Sequence, residues 1–322
     1  MTKKPKYIVI TGALGYIGSE LCKLYSGFSW KYEVIAIDNR FVSERVNELK
    51  RRKIKFIQAD ILDLKKIKPI IKKAECVHHL AGITDVAYVK KDSNKERDAL
   101  TEKVAIQGTA NILASMNNHA TIVFPSTHVV FEGLKKQKKN INEKEKTSTF
   151  LSYSSSKVKN ENQIIKSGKK YAIFRLGSVY GFSTDTMRIN IMPNLFSKIA
   201  SQNGVIKLFG GGQQLKSLVP LIDVARCFKF VEESNNFKNG IYNLTKENTT
   251  VKEVAKICKK INPKLKIIET NDEIPNKGYT LSNKKILSVG FKFLYDLETC
   301  IKEMIEKWSY EKFDKNLEYT FS

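Results

Sequence analysis

A tyrosine and a lysine four residues apart, Tyr153 and Lys157 in "YSSSK", are the pair in this sequence best suited to moving a proton. Positions i and i+4 share one face of a helix, so phenol and amine can act together. A free tyrosine titrates near pH 10, about three units too high for a base at neutral pH. A nearby ammonium favours the phenolate and lowers that value. Alone, the spacing describes any surface helix with a tyrosine and a lysine; its place in the chain gives it meaning. Upstream, the apolar run "TIVF" leads into Pro125, Ser126, Thr127 and His128. Hydroxyls at a strand end can bond a reacting oxygen or simply satisfy backbone groups. A histidine there can carry protons near neutral pH, or it can be a packed ring with no chemical task.

A second group has the spacing of a phosphate cradle. "TGALGYIG", Thr11 to Gly18, lies between an apolar run and a helical stretch. Gly12 permits a tight turn, Gly15 lets the backbone approach a pyrophosphate, and Gly18 lets the helix pack on the strand. N–H groups at the helix start, at Tyr16 and Ile17, face the phosphate oxygens. Asp38 ends the next strand, 20 residues beyond the last glycine. A carboxylate there accepts both adenosine ribose hydroxyls and repels a 2′-phosphate, so NAD is expected over NADP. Arg40 is close enough to blur that preference.

These residues need a scaffold, and the hydrophobic pattern supplies one. Apolar runs "KYIVI", "YEVIAID", "IKFIQAD", "ECVHHLAG", "TIVFPS" and "YAIFRLG" alternate with helical stretches. Those helices fall at about 16–25, 98–117 and 153–167, with a short amphipathic one in "LKKIKPIIKKA" that Pro69 interrupts. The alternation predicts an α/β fold with a doubly wound parallel sheet of the Rossmann type. After Gly181 the pattern changes. Residues 1–181 plus about 217–242 are expected to form the NAD-binding domain. About 182–216 plus 243–322 are expected to form a smaller C-terminal α/β substrate-binding domain. Its amphipathic helices include "TVKEVAKICKKI" and "LETCIKEMIEKW".

The G-x-x-G-x-x-G spacing, with "ADILD", "HLAG", "RLGSVYG" and "LFGGGQQLKSLVPLIDVA" in order, resembles the extended short-chain dehydrogenase/reductases. Within them it is similar to the NAD-dependent epimerase/dehydratase family, which modifies nucleotide sugars, and the resemblance covers nearly the whole chain. It implies that Asp60 and Ile61 lie beside the adenine and that Leu80, Ala81 and Gly82 run along the cofactor. It puts Thr127 in the place of the catalytic Ser/Thr, whose hydroxyl bonds the substrate oxygen while Tyr153 takes or gives the proton. Lys157 also holds the nicotinamide ribose. Thr127, His128 and Lys216 are the substrate-binding candidates. The resemblance further implies a homodimer paired through the two long helices at about 98–117 and 153–167.

The sequence departs from that pattern in several places. An acidic pair follows the threonine in the 4,6-dehydratases; His128 and Val129 stand there, which argues against 4,6-dehydration. "STHVVFEG" resembles a segment of the deoxysugar reductases, with His128 in place of their aspartate. Ala105 replaces a usual asparagine. Lys216 replaces an arginine that grips a nucleotide-sugar pyrophosphate, and lysine is less directional. A late arginine is also missing, with only Lys277 near its place.

Composition closes off other classes. The net charge is +23, but lysine supplies most of it, with 48 lysines against eight arginines spread along the chain. Charge of this kind is a weak sign of a nucleic-acid partner, and none is expected. No run approaches 18 apolar residues, so no membrane span is expected. Five scattered cysteines without a C-x-x-C pair suit a reducing cytoplasm and give no metal site. Three readings stay open: an epimerase returning its hydride, a keto-deoxysugar reductase consuming NAD(P)H, and a non-catalytic NAD-binding subunit.

Overall fold

The computed structural model describes residues 4–84, 94–184, 186–234, 236–272 and 277–310. Seven strands form one parallel sheet: β1 (Lys6–Thr11), β2 (Tyr32–Asp38), β3 (Lys55–Gln58), β4 (Cys76–His79), β5 (Thr121–Thr127), β7 (Lys170–Leu176) and β11 (Gly240–Leu244). Their order is β11-β7-β5-β4-β1-β2-β3, so the winding reverses between β1 and β4. In doubly wound sheets the crevice at that reversal, at the carboxyl ends of the strands, takes the ligand. The doubly wound fold expected from the sequence is the one observed.

Side chains alternate across each strand. Ile8 and Ile10 pack with Leu21 and Tyr25 of α1 (Tyr16–Ser26), Leu49 of α2 (Ser43–Arg51) and Phe228 of α7 (Leu221–Glu233). Val9 faces the other way, with Ile67 of α3 (Leu64–Ile71), Ile112 of α4 (Lys95–Ser115) and Ile164 of α5 (Ser152–Lys166). The sheet is therefore covered on both faces. Pro69 lies inside α3, whose start is fixed by Asp63 accepting the Lys66 N–H at 3.1 Å.

Smaller sheets gather beyond the carboxyl ends. β8 (Ser178–Tyr180), β10 (Leu215–Pro220) and β12 (Glu247–Thr250) form one. β9 (Val205–Leu208) pairs with β13 (Lys266–Glu269), and β6 (Lys138–Ile141) with β14 (Tyr279–Leu281). A second core joins the first two to α6 (Met192–Ser201), α8 (Val251–Ile261) and α10 (Leu297–Tyr310), through Phe196, Val254 and Ile301 among others, while β6 and β14 pack with Val130 and Phe131. The short α9 (Lys284–Ser288) puts Ile286 into the main core. Sheet membership cuts across the limits expected at 181 and 242. β8 and β10 pair with each other outside the main sheet, and β11 crosses 242 within it.

Candidate active site

The phosphate turn has the geometry its glycines allow. Gly12 takes φ 68°, and a Cβ there would stand 2.7 Å from the Ala81 nitrogen. A Cβ on Gly18 would drive into the Gly12 carbonyl oxygen, which fixes how closely α1 approaches β1. Gly15 is the N-cap of α1, and no side chain caps that end. The first-turn N–H groups have no partner inside the helix, which leaves Tyr16, Ile17 and Gly18 to a phosphate. Burial pushes the Tyr16 phenol up, and its hydroxyl is already committed to the Gly181 carbonyl, so what it offers a cofactor is backbone. These features fit a dinucleotide.

Asp38 is buried at the end of β2 and accepts the Leu14 N–H at 3.0 Å. Its other oxygen accepts the Arg40 N–H and Nε, both at 3.1 Å. The arginine noticed in the sequence thus sits on the very carboxylate expected to read the ribose. Asp60 holds the next turn through the Leu62 N–H at 2.8 Å. Ile61 is buried where a Cβ on Gly108 of α4 would strike it, and its carbonyl accepts from Asn111 at 2.9 Å. Beyond β4, the Leu80 N–H bonds the Thr11 carbonyl and the Ala81 N–H bonds the Thr11 hydroxyl, each at 3.2 Å. Gly82 borders open space. All these candidates line the same end of the sheet.

Thr127 is the last residue of β5 and caps a 3-10 turn, His128–Phe131, by accepting the Val129 N–H at 3.3 Å. Tyr153 is the second residue of α5. Burial raises its phenol, while the charge of Arg188 and a hydrogen bond from the Thr127 hydroxyl pull it down. Lys157, one turn on, donates to the Pro125 carbonyl at 2.8 Å and lies 4.5 Å from the Phe124 ring centroid and 5.8 Å from that of Tyr153. Burial lowers its amine to about 8, and Glu161 opposes that shift. The expected trio is brought together. The charge found acting on the phenol, however, is that of Arg188, which the sequence reading passed over. Its only signal was rarity, one of eight arginines. Its Nη2 donates to the Thr84 carbonyl at 3.0 Å.

His128 is held rather than free. Nε2 is 3.3 Å from the Ser178 hydroxyl, and Nδ1 is 3.3 Å from the Tyr279 hydroxyl, which also donates to the His128 carbonyl at 2.9 Å. Burial, and then the Lys216 charge, lower its pKa to about 3, so the ring is neutral at physiological pH. The Lys216 amine is itself pushed down by burial and makes no hydrogen bond or ion pair among the described residues. Lys277 is exposed, and among the described residues its backbone carbonyl accepts from the Leu215 N–H and Gln137. The Ala105 carbonyl accepts from Asn160 at 2.9 Å. Behind the trio, Arg175 and Glu161 form a buried two-bond ion pair at 3.0 and 2.8 Å, joined by the Ser126 hydroxyl at 2.5 Å. Ser126 is therefore structural. Among the described residues no cluster of His, Cys, Asp and Glu could hold a metal.

The NAD dependent epimerase/dehydratase family matches residues 8–245. The chain belongs to this family. It is an enzyme of an NAD-dependent class, and NAD is its cofactor. A putative UDP-glucose 4-epimerase of Methanocaldococcus jannaschii is 29% identical over 312 residues, covering 92% of this chain and 97% of that protein. Among solved structures, a UDP-glucose 4-epimerase of Thermotoga maritima with UDP-glucose superposes with TM-score 0.79 at 23% identity, over 93% of this chain and 97% of that one. A UDP-N-acetylglucosamine 4-epimerase of Methanobrevibacter ruminantium, in complex with UDP-N-acetylmuramic acid, gives TM-score 0.80 at 21% identity, over 95% and 98%. At such identities the structures support the fold.

Proposed function

We propose that the chain is an NAD-dependent epimerase of a nucleotide-diphosphate sugar. The observation behind this is that Thr127, Tyr153 and Lys157 meet at the end of β5, in the crevice bounded by the glycine turn. Bound there, NAD supplies a hydride acceptor that can return the hydride. Tyr153 takes the proton from a sugar hydroxyl and gives it back to the resulting ketone. Thr127 donates its single O–H to the phenolate before the transfer and to the substrate oxygen after it. Lys157 holds the nicotinamide ribose and fixes the floor of the site through Pro125. Lys216, half-buried and without an ion pair among the described residues, accepts the charge of the substrate's pyrophosphate. The relatives named as UDP-sugar epimerases support this substrate class. The test is to incubate the protein with NAD and a panel of nucleotide-diphosphate sugars. Product forming with no net NADH change supports the epimerase; stoichiometric consumption of NADH on a keto-sugar replaces it with the reductase.

Cofactor choice follows from Asp38. NAD is expected to bind at least about tenfold more tightly than NADP, a difference of about 1.4 kcal/mol. The Arg40 guanidinium on the same carboxylate limits the preference, because it can turn toward a 2′-phosphate. Equal affinities in a titration would contradict the assignment of Asp38 to the ribose.

His128→Ala is expected to lower turnover less than tenfold, under about 1.4 kcal/mol of barrier. A neutral ring bonded on both nitrogens shapes the pocket and is not a proton carrier. A loss as deep as that of Tyr153→Phe would make it one.

The proposal extends to a cytoplasmic homodimer. The cysteines are free and buried, as a reducing compartment permits. α4 and α5 lie side by side and expose Leu100 and Ile165, which a partner's helices would cover. Light scattering at micromolar concentration should give twice the chain mass; a monomer counts against the pairing.

A further inference from the structure

Tyr153 lies in the first turn of α5, the part of a helix that frays most easily. The four leading N–H groups of a helix have no partner within it. The N-cap here is Leu151, whose side chain cannot cap. The cap comes instead from Glu132, on a different segment. One of its oxygens, Oε1, accepts the Phe150 N–H at 3.2 Å, the Leu151 N–H at 2.9 Å and the Ser154 hydroxyl. Glu132 also closes the 3-10 turn that Thr127 opens, its N–H donating to the Val129 carbonyl at 3.0 Å.

The two segments are stitched together around that carboxylate. The Gly133 N–H donates to the Ser148 carbonyl at 2.9 Å, and the Ser148 N–H to the Val130 carbonyl at 2.8 Å. A Cβ on Gly133 would stand 2.5 Å from the Ser148 hydroxyl oxygen, so the approach leaves no room for a side chain.

We propose that Glu132 is a positioning residue, locking the strand end that carries Thr127 to the helix turn that carries Tyr153. The proposal rests on the proton-transfer roles given above to those two side chains. Hydrogen bonds to an ionised acceptor are the strong kind. Three of them converging on one oxygen fix the phenol relative to the hydroxyl. Misplacing a catalytic group by about 1 Å can cost about 10²-fold in rate.

The experiment compares Glu132→Ala, Glu132→Gln and Tyr153→Phe in the full chain, measuring kcat against pH and NAD affinity. Glu132→Ala is expected to lower kcat about 10- to 100-fold with NAD affinity unchanged, since the phosphate turn and Asp38 lie elsewhere. The acid limb of its pH profile should move to higher pH, because the phenol loses the Thr127 hydrogen bond that holds its pKa down. Glu132→Gln keeps an acceptor oxygen and should restore most of both; a helix cap serving stability alone would move neither limb. Wild-type kcat and an unshifted profile in Glu132→Ala, with Tyr153→Phe inactive, overturn the proposal and leave the function standing. An active Tyr153→Phe removes the function reading and the proposal with it. Should Glu132→Ala not fold, Ser154→Ala removes one donor to the same oxygen. It should shift the limb the same way by less, and an unshifted limb overturns the proposal.

Discussion

Tyr153→Phe is expected to lower turnover by about 10²–10⁴-fold, the usual worth of a positioned acid or base, and to leave NAD affinity nearly unchanged. The change removes one oxygen. The ring stays beside Lys157, and Thr127 keeps its bond to the Val129 N–H, so packing around the site is preserved. Tyr153 is raised by burial, with Arg188 and Thr127 acting against it. Oxidation of a hydroxyl needs the phenolate, so activity falls as pH drops through that pKa. Weakening either opposing group raises the pKa and moves the acid limb to higher pH. Thr127→Val should therefore lose turnover at pH 7 and recover part of it in more alkaline buffer. Steady-state kcat with a parallel cofactor titration checks both variants. Full activity in Tyr153→Phe would leave only the cofactor fold and family in place.

How far the sequence revealed this site depends on how local each signal is. The glycine turn is legible because three positions each answer a steric demand within a few residues: Gly12 against Ala81, Gly18 against the Gly12 carbonyl, and an uncapped Gly15. The inner strands of the main sheet read clearly because both of their faces are buried, leaving runs such as "YIVI" and "TIVF". β6 does not read at all. It lies in the lysine-rich stretch, buries only Ile141, and pairs with β14 nearly at the other end of the chain. Arg188, Glu132 and the Arg175–Glu161 pair escaped for the same reason, since each has partners on distant segments. At His128 the sequence leaves a proton carrier and a packed ring both open, because its partners Ser178 and Tyr279 lie on distant segments.

The deepest combined loss should come from Lys157→Met, in turnover and in NAD affinity together. Methionine roughly matches the stem of lysine, so the space over Phe124 stays filled while the cation goes. In the role proposed for it, that cation holds the ribose and the Pro125 carbonyl, while the charge that lowers the phenol is that of Arg188, on another segment. Stability should move the opposite way from activity. The folded Lys157 titrates near 8, below its ordinary value of 10.5, because burial disfavours the ammonium. Below pH 8 the amine is charged in both folded and unfolded chains, and the fold bears the full burial cost. As pH rises from about 8 toward 10.5 the folded form is neutral while the unfolded form still binds a proton, so that cost fades. Lys157→Met has no such group. Its Tm at pH 7 should equal or exceed that of the wild type, with the difference shrinking toward pH 10. The bond to the Pro125 carbonyl offsets part of the gain, since removing it strips a buried acceptor of its partner. A Tm well below wild type at pH 7 would show that this bond outweighs the burial cost. Retention of both turnover and cofactor affinity would remove Lys157 from the mechanism.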